Sequence, residues 1–286
     1  MPSTVLQQQQ QLFDERYQSK THQLKLFVEL SKDHLFSTLF DDSSKEYVAF
    51  EAYHFEENTD WNSAQRKFEQ IFLSDQFQQA KTRQLNISSS LYTLVPQALF
   101  DENELINYLS FNHPIEDEST LRFYFNKIES IDAIIVYAIP LGLEFLAKAK
   151  LPPFQINHFG LPLLEAIGLQ KVNKDQLHVH IQQHRFDIIY MPEGKLIFFN
   201  SFNYQSTEDF IYYLLYIMEQ LQLDRETTNL QLIGEIEENS SIYKVLYTYI
   251  RSVEFMKHPK DIHFSAVLAE LPSHYYFTLF NQHLCG

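Results

Sequence analysis

Apolar and polar residues alternate with period two from residue 24, with Leu24, Leu26, Val28 and Leu30 on one side and Lys25 and Glu29 on the other. That is the pattern of a half-buried strand with its polar side in water. The break Ser31-Lys32-Asp33 and the turn at residues 41–44 lead into two more strands, over 34–40 and 46–55, an antiparallel meander. Trp61, Ala64, Phe68, Ile71 and Phe72 then share one face of a helix, with Asn58, Thr59 and Asp60 as its N-cap. Strands are expected at 84–88, 121–126 and 131–139, and helices at 101–109 and 141–150. Leu94-Val95-Pro96 ends an extended stretch, Pro152-Pro153 forces another, and 158–168 reads as a connecting helix closed by Gly168.

The pattern then starts again. Leu177, Val179 and Ile181 alternate with His178, His180 and Gln182, and further strands are expected at 186–191 and 196–202. The last of these is apolar on both sides, as in an interior strand covered on two faces. Ser206 and Asp209 have the spacing of a reciprocal helix cap. Phe210, Leu214, Ile217, Met218 and Leu221 follow at helical spacing, in a helix apolar enough to be buried on more than one side. A strand over 230–235, a helix with stripe Ile242, Val245, Leu246, Tyr249 and Ile250, a strand over 253–256 and a terminal helix over 274–284 complete the chain.

Each half therefore reads β-β-β-α-β-α followed by a further strand, a repeat of plan and not of residues. A meander running into right-handed crossovers builds a mixed sheet flanked by helices, an α/β fold. Two such sheets in tandem are the plan of the actin, hexokinase and Hsp70 superfamily, with two ribonuclease-H-like domains. Residues 1–20, with a glutamine run, read as a flexible or loosely docked polar tail. Residues 21–172 make the first domain and 173–286 the second.

Composition narrows the function. Of 286 residues 45% are hydrophobic, including 25 Phe and 17 Tyr, which supports a substantial core. The net charge of −15 disfavours nucleic acid and anionic membrane as partners. Cys285 is the single cysteine, so no intrachain disulfide can form. The apolar run 131–147 is interrupted by Asp132, Pro140 and Glu144, so it does not span a membrane. With no basic-then-apolar leader at the N-terminus, a cytoplasmic protein is expected.

The segments Leu94-Val95-Pro96 with Phe100-Asp101, Phe199-Asn200-Ser201-Phe202-Asn203-Tyr204, Glu208-Asp209-Phe210-Ile211-Tyr212-Tyr213, Leu232-Ile233-Gly234 and Tyr249-Ile250-Arg251 carry a resemblance. The chain resembles, over nearly its whole length beyond the tail, a bacterial domain of unknown function typical of Bacteroidetes, whose fold is actin-like. That resemblance implies the fold and leaves activity open. Working members of the superfamily grip phosphates with a glycine beside an aspartate in the first hairpin of each domain. The corresponding stretches here, 30–34 and 182–186, contain no glycine. Only Gly234 stands where the adenosine contact would fall, and Asp33 and Asp187 are approximate candidates for the magnesium-holding acids. ATP and magnesium are accordingly not expected as cofactors.

Other chemistry is sparse. His178 and His180 point the same way from one strand, which suits a metal but supplies only part of a ligand set; the alternative is a solvent-facing or interface-facing surface. No GxSxG elbow, phosphate-binding GxxxxGK[ST] loop, HExxH helix or CxxC pair is present. Asn200, Asn203, Glu208 and Asp209 form a polar corner between strand and helix, either a binding site at a helix N-terminus or loop chemistry that satisfies backbone amides. The reading is a non-catalytic actin-like scaffold that binds another protein or a small ligand in a residual cleft. The alternatives are an ATP-dependent phosphotransferase with altered loops, and a metal-dependent hydrolase centred on His178 and His180.

Overall fold

The computed structural model describes residues 7–56, 59–74, 79–151, 153–170, 176–258 and 262–285. In chain order they form β1 (Gln7–Phe13), β2 (Lys25–Leu30), β3 (His34–Asp41), β4 (Glu46–His54), α1 (Trp61–Ser74), β5 (Thr82–Ile87), β6 (Tyr92–Pro96), α2 (Leu105–Ser110), β7 (Leu121–Ile128), β8 (Ala133–Pro140), α3 (Leu141–Phe145), β9 (Gln155–His158) and α4 (Gly160–Leu169). There follow β10 (Gln176–Ile181), β11 (Arg185–Tyr190), β12 (Phe198–Asn203), α5 (Thr207–Gln220), β13 (Asn229–Gly234), α6 (Ser241–Tyr249), β14 (Ser252–Phe255), β15 (His263–Phe264) and α7 (Phe277–Phe280). The described residues up to Leu163, from Ile262 to Glu270 and from Thr278 onward cluster as one unit. Those from Leu164 to His258 and from Leu271 to Phe277 cluster as a second. The domain boundary expected at 172–173, and with it Asn58 and Pro152, lies outside the described residues.

In the first unit the main sheet has the order β1-β4-β3-β2-β5-β9, and β15 also pairs with β4. Strands β2 to β4 are an antiparallel meander, and β5 and β9 add to β2 in parallel. One face of this sheet, with Leu26, Val28, Leu30, Leu39 and Leu85, packs on Ala64, Phe68, Ile71 and Phe72 of α1, the helical face read from the spacing. Asp60 caps α1, its carboxylate accepting the Ser63 amide at 2.7 Å.

The opposite face departs from expectation. Glu29 is buried, not solvated, because the C-terminal residues lie against this side. Thr278 donates to the Glu29 carboxylate at 2.5 Å, Gln282 to the Val28 carbonyl at 3.2 Å and Tyr47 to the Phe280 carbonyl at 2.7 Å. The expected terminal helix over 274–284 is reduced to the short α7 and single turns.

Of the tail read as flexible or loosely docked, the residues from Gln7 onward are docked, as a strand and turns. Residues 7–13 pair antiparallel with β4, and Phe13 and Tyr17 pack on the core. A polar segment can hold an edge position because ladder bonds come from the backbone and need no apolar side chain. Residues 1–6 lie outside the described residues. β9, of which only His158 falls within the expected connecting helix, is the strand that completes the sheet beside β5. Strands β6, β8 and β7 form a separate three-stranded sheet with its own core of Val95, Leu109, Ile134, Val136 and Ala138.

The second unit follows the plan more closely. Its sheet has the order β12-β11-β10-β13-β14, antiparallel through β10, β11 and β12 and parallel through β10, β13 and β14. Leu177, Val179, Ile181, Ile188, Leu230 and Leu232 pack on Phe210, Leu214, Ile217 and Met218 of α5 and Leu246 of α6. Two expectations fail here. β12 is an edge strand, half-buried and not covered on both faces. Helix α5 is buried on one side only, with Tyr212 63% and Tyr216 48% exposed. Among the described residues no helix is long and apolar enough to cross a membrane.

Candidate functional site

Phosphate cradles need backbone N–H groups that converge on an anion, usually through residues of alternating helical hand. The β2–β3 hairpin uses its amides internally. Ser31 Oγ accepts the amides of Asp33 and His34, each at 2.9 Å, while the Ser31 amide donates to the His34 carbonyl at 2.9 Å. The hydroxyl therefore takes up two amides of this turn. In the β10–β11 hairpin the Gln182 amide donates to the Arg185 carbonyl at 2.8 Å, and Tyr204 donates its phenol to the Gln182 carbonyl at 2.8 Å. Among the described residues the left-handed backbone positions are Lys45, Asp132, Glu193, Gly194, Gln222 and Gly234, and none lies in either hairpin. Neither hairpin has the alternating backbone of a phosphate nest.

Behind the second hairpin a row of polar side chains crosses the sheet. Register sets His180 of β10 opposite Asp187 of β11, and Asp187 opposite Ser201 of β12. Directly opposed positions bring side chains within contact on one face. His180 Nδ1 lies 2.9 Å from Asp187 Oδ2, and Ser201 Oγ donates to Asp187 Oδ1. Burial alone would raise the Asp187 carboxyl, but the Arg185 charge and the bonds from His180 and Ser201 outweigh it and hold the group below the ordinary aspartate value. The carboxylate links the imidazole and the hydroxyl, one oxygen to each. Both Asp187 oxygens are engaged. Asp33 sits in the first hairpin, a different place in its unit's topology from that of Asp187 within β11.

Gly234 ends β13 beside Ile181, with φ +88°. A β-carbon there would stand 2.1 Å from the Ile181 carbonyl oxygen and 3.0 Å from the His180 ring. The glycine is thus required by strand packing.

His178 and His180 do share a face, but it is a buried one, at 1% and 3% exposure, so of the solvent-facing or interface-facing alternative the solvent-facing half is corrected. Neither ring nitrogen of His178 has a hydrogen-bond partner of good geometry. Burial pushes its pKa down to about 4, with the Ile189 backbone acting in the opposite direction. Among the described residues no group of three or more His, Cys, Asp or Glu side chains could hold a metal ion.

The polar corner divides. Asp209 closes a reciprocal cap on α5, accepting the Ser206 and Gln205 amides at 3.1 Å while Ser206 Oγ accepts the Asp209 amide at 3.1 Å. Asn200 accepts the amide of the adjacent Ser201 at 2.9 Å. Asn200, Asn203 and Glu208 are exposed. The structure thus brings His180, Asp187, Ser201 and Gly234 together, and leaves Asn200, Asn203 and Glu208 on the surface. Sequence reading missed Ser201 as a partner of Asp187 and Ser31 as the filler of its own turn; the hairpin register is the signal that pairs the first two.

Comparison with known proteins places this geometry. Residues 14–253 match the family described as protein of unknown function (DUF3822). No curated protein matches. Among solved structures, a Bacteroides thetaiotaomicron protein of actin-like ATPase fold and unknown function superposes with a TM-score of 0.74 at 21% identity, over 83% of this chain and 92% of that one. The PilM–PilN type IV pilus biogenesis complex gives a TM-score of 0.58 at 13% identity, over 91% of this chain and 98% of that one.

Proposed function

The chain belongs to the DUF3822 family and has an actin-like ATPase fold, and from that premise we propose that it is a non-catalytic binding protein whose ligand is another protein. The observation that carries this reading is the Ser31 hydroxyl, which takes up the Asp33 and His34 amides that a phosphate would need. The lack of glycine and of left-handed positions in both hairpins supports it. A chain of the same fold occurs in the PilM–PilN complex, which is consistent with this body serving assembly. The strong negative charge favours protein over nucleic acid or anionic membrane and fits a cytoplasmic setting.

Thermal unfolding with ATP and Mg²⁺ tests the proposal. A ligand at a hundred times its dissociation constant stabilises by about 2.7 kcal/mol. No saturable rise in Tm is expected; a saturable one overturns the reading.

A further inference from the structure

The outer side of α5 is the least explained surface of the second unit. Tyr212 and Tyr216, one helical turn apart, are both exposed, with ring centroids 6.3 Å apart and planes within 14°. They form one wall of a groove of about 580 Å³ with an apolar floor that includes Leu215 and Leu223. Exposed tyrosines give large apolar area at little entropic cost and are frequent anchors in interfaces.

The groove is also electrically biased. Glu219 and Asp224 line it, against the single guanidinium of Arg225. The C-terminal end of α5 points the same way, and no basic residue stands in its last turn to offset the negative end of the dipole. Tyrosine faces add their own attraction for cations. The whole chain carries a charge of −15, so long-range steering has the same sign.

We infer that this groove docks a segment of a partner protein bearing a lysine or arginine beside a leucine-sized side chain. The apolar side chain enters between Tyr216 and Leu223, and the cation lies over the tyrosine rings within reach of Glu219 and Asp224. The inference rests on the protein-binding reading and names the chemistry of the partner.

A short fluorescein-labelled peptide alternating leucine and lysine, titrated by anisotropy, is the probe. Saturable binding is expected, weakened at least about tenfold by Tyr216→Ala and by Glu219→Lys. Glu238→Lys, the same charge change at an exposed turn outside the groove, separates local recognition from general attraction and should weaken it far less. A peptide alternating leucine and glutamate should not bind. Absence of binding, equal losses in Glu219→Lys and Glu238→Lys, or binding untouched by Tyr216→Ala overturns the inference. So does self-association that Tyr216→Ala abolishes, since the occupant is then a second copy. The tyrosines are exposed, so loss of fold does not confuse the result. ATP stabilisation would sink the protein-binding reading itself; failure of the peptide alone sinks only this groove.

Discussion

Ser31 Oγ accepts the backbone amide of His34 at 2.9 Å, and the same oxygen accepts the amide of Asp33. One buried hydroxyl thereby closes the first hairpin. Ser31→Ala leaves both amides short of a partner and should cost about 1–3 kcal/mol, read as a lower denaturation midpoint at unchanged m-value. Ser31→Gly should lose similar stability without gaining ATP binding, because the turn has no left-handed residue.

Gly234→Ala should be among the most damaging single-methyl additions in the second unit. The new carbon meets the Ile181 carbonyl at 2.1 Å on a backbone of φ +88°. Both faults are of kinds that produce losses above about 2 kcal/mol. Urea denaturation measures it, and a near-neutral result would mean that β13 can move away from β10.

Acid should act in two stages. His178 and His258 both have pKa values lowered to about 4, chiefly by burial. Between about 6.5 and 4 the unfolded chain therefore binds protons that the folded one refuses, so stability is full above that window and falls as pH drops through it. His178 alone accounts for about 3 kcal/mol at most. Asp187 is lowered too, through Arg185, His180 and Ser201 acting against burial, so its contribution holds above about pH 3.9 and is lost below. Unfolding free energy measured from pH 7 to 4 should slope upward with pH, and His178→Leu should flatten the slope.

Phe280 and Phe111 make a matched pair. Phe280 is fully buried against Tyr47 and Phe50, whereas Phe111 is 89% exposed. Phe280→Ala should cost about 3–5 kcal/mol, and Phe111→Ala less than about 0.5 kcal/mol. Calorimetric Tm values of the two variants give the comparison.

The strand-helix plan was legible because each main strand and helix repeats its own period: Leu177, Val179 and Ile181 in β10, and Phe210, Leu214 and Ile217 in α5, land on the core as read. What escaped depends on partners far along the chain. β1 is polar and is a strand only because β4 offers it an edge. β9 has four residues, too few to show alternation. Glu29 looked solvated because nothing near it signals that Thr278 will cover it. β12 looks interior because Phe198, Phe199 and Phe202 are apolar, yet pairing puts it at a rim. At the site, His178 and His180 were read onto one face correctly, but local pattern could not tell that the face is closed to water.

The return of residues 262–285 to the first sheet has a consequence for biosynthesis. The strand β15 and the residues that cover Glu29 and Val28 leave the ribosome only after all of β10 to β14 has emerged. The first unit is begun early and finished late, and in the interval Phe50 and Tyr47 lack Phe280 as cover. A nascent chain stalled before residue 262 should therefore hold chaperones longer than its length alone would require.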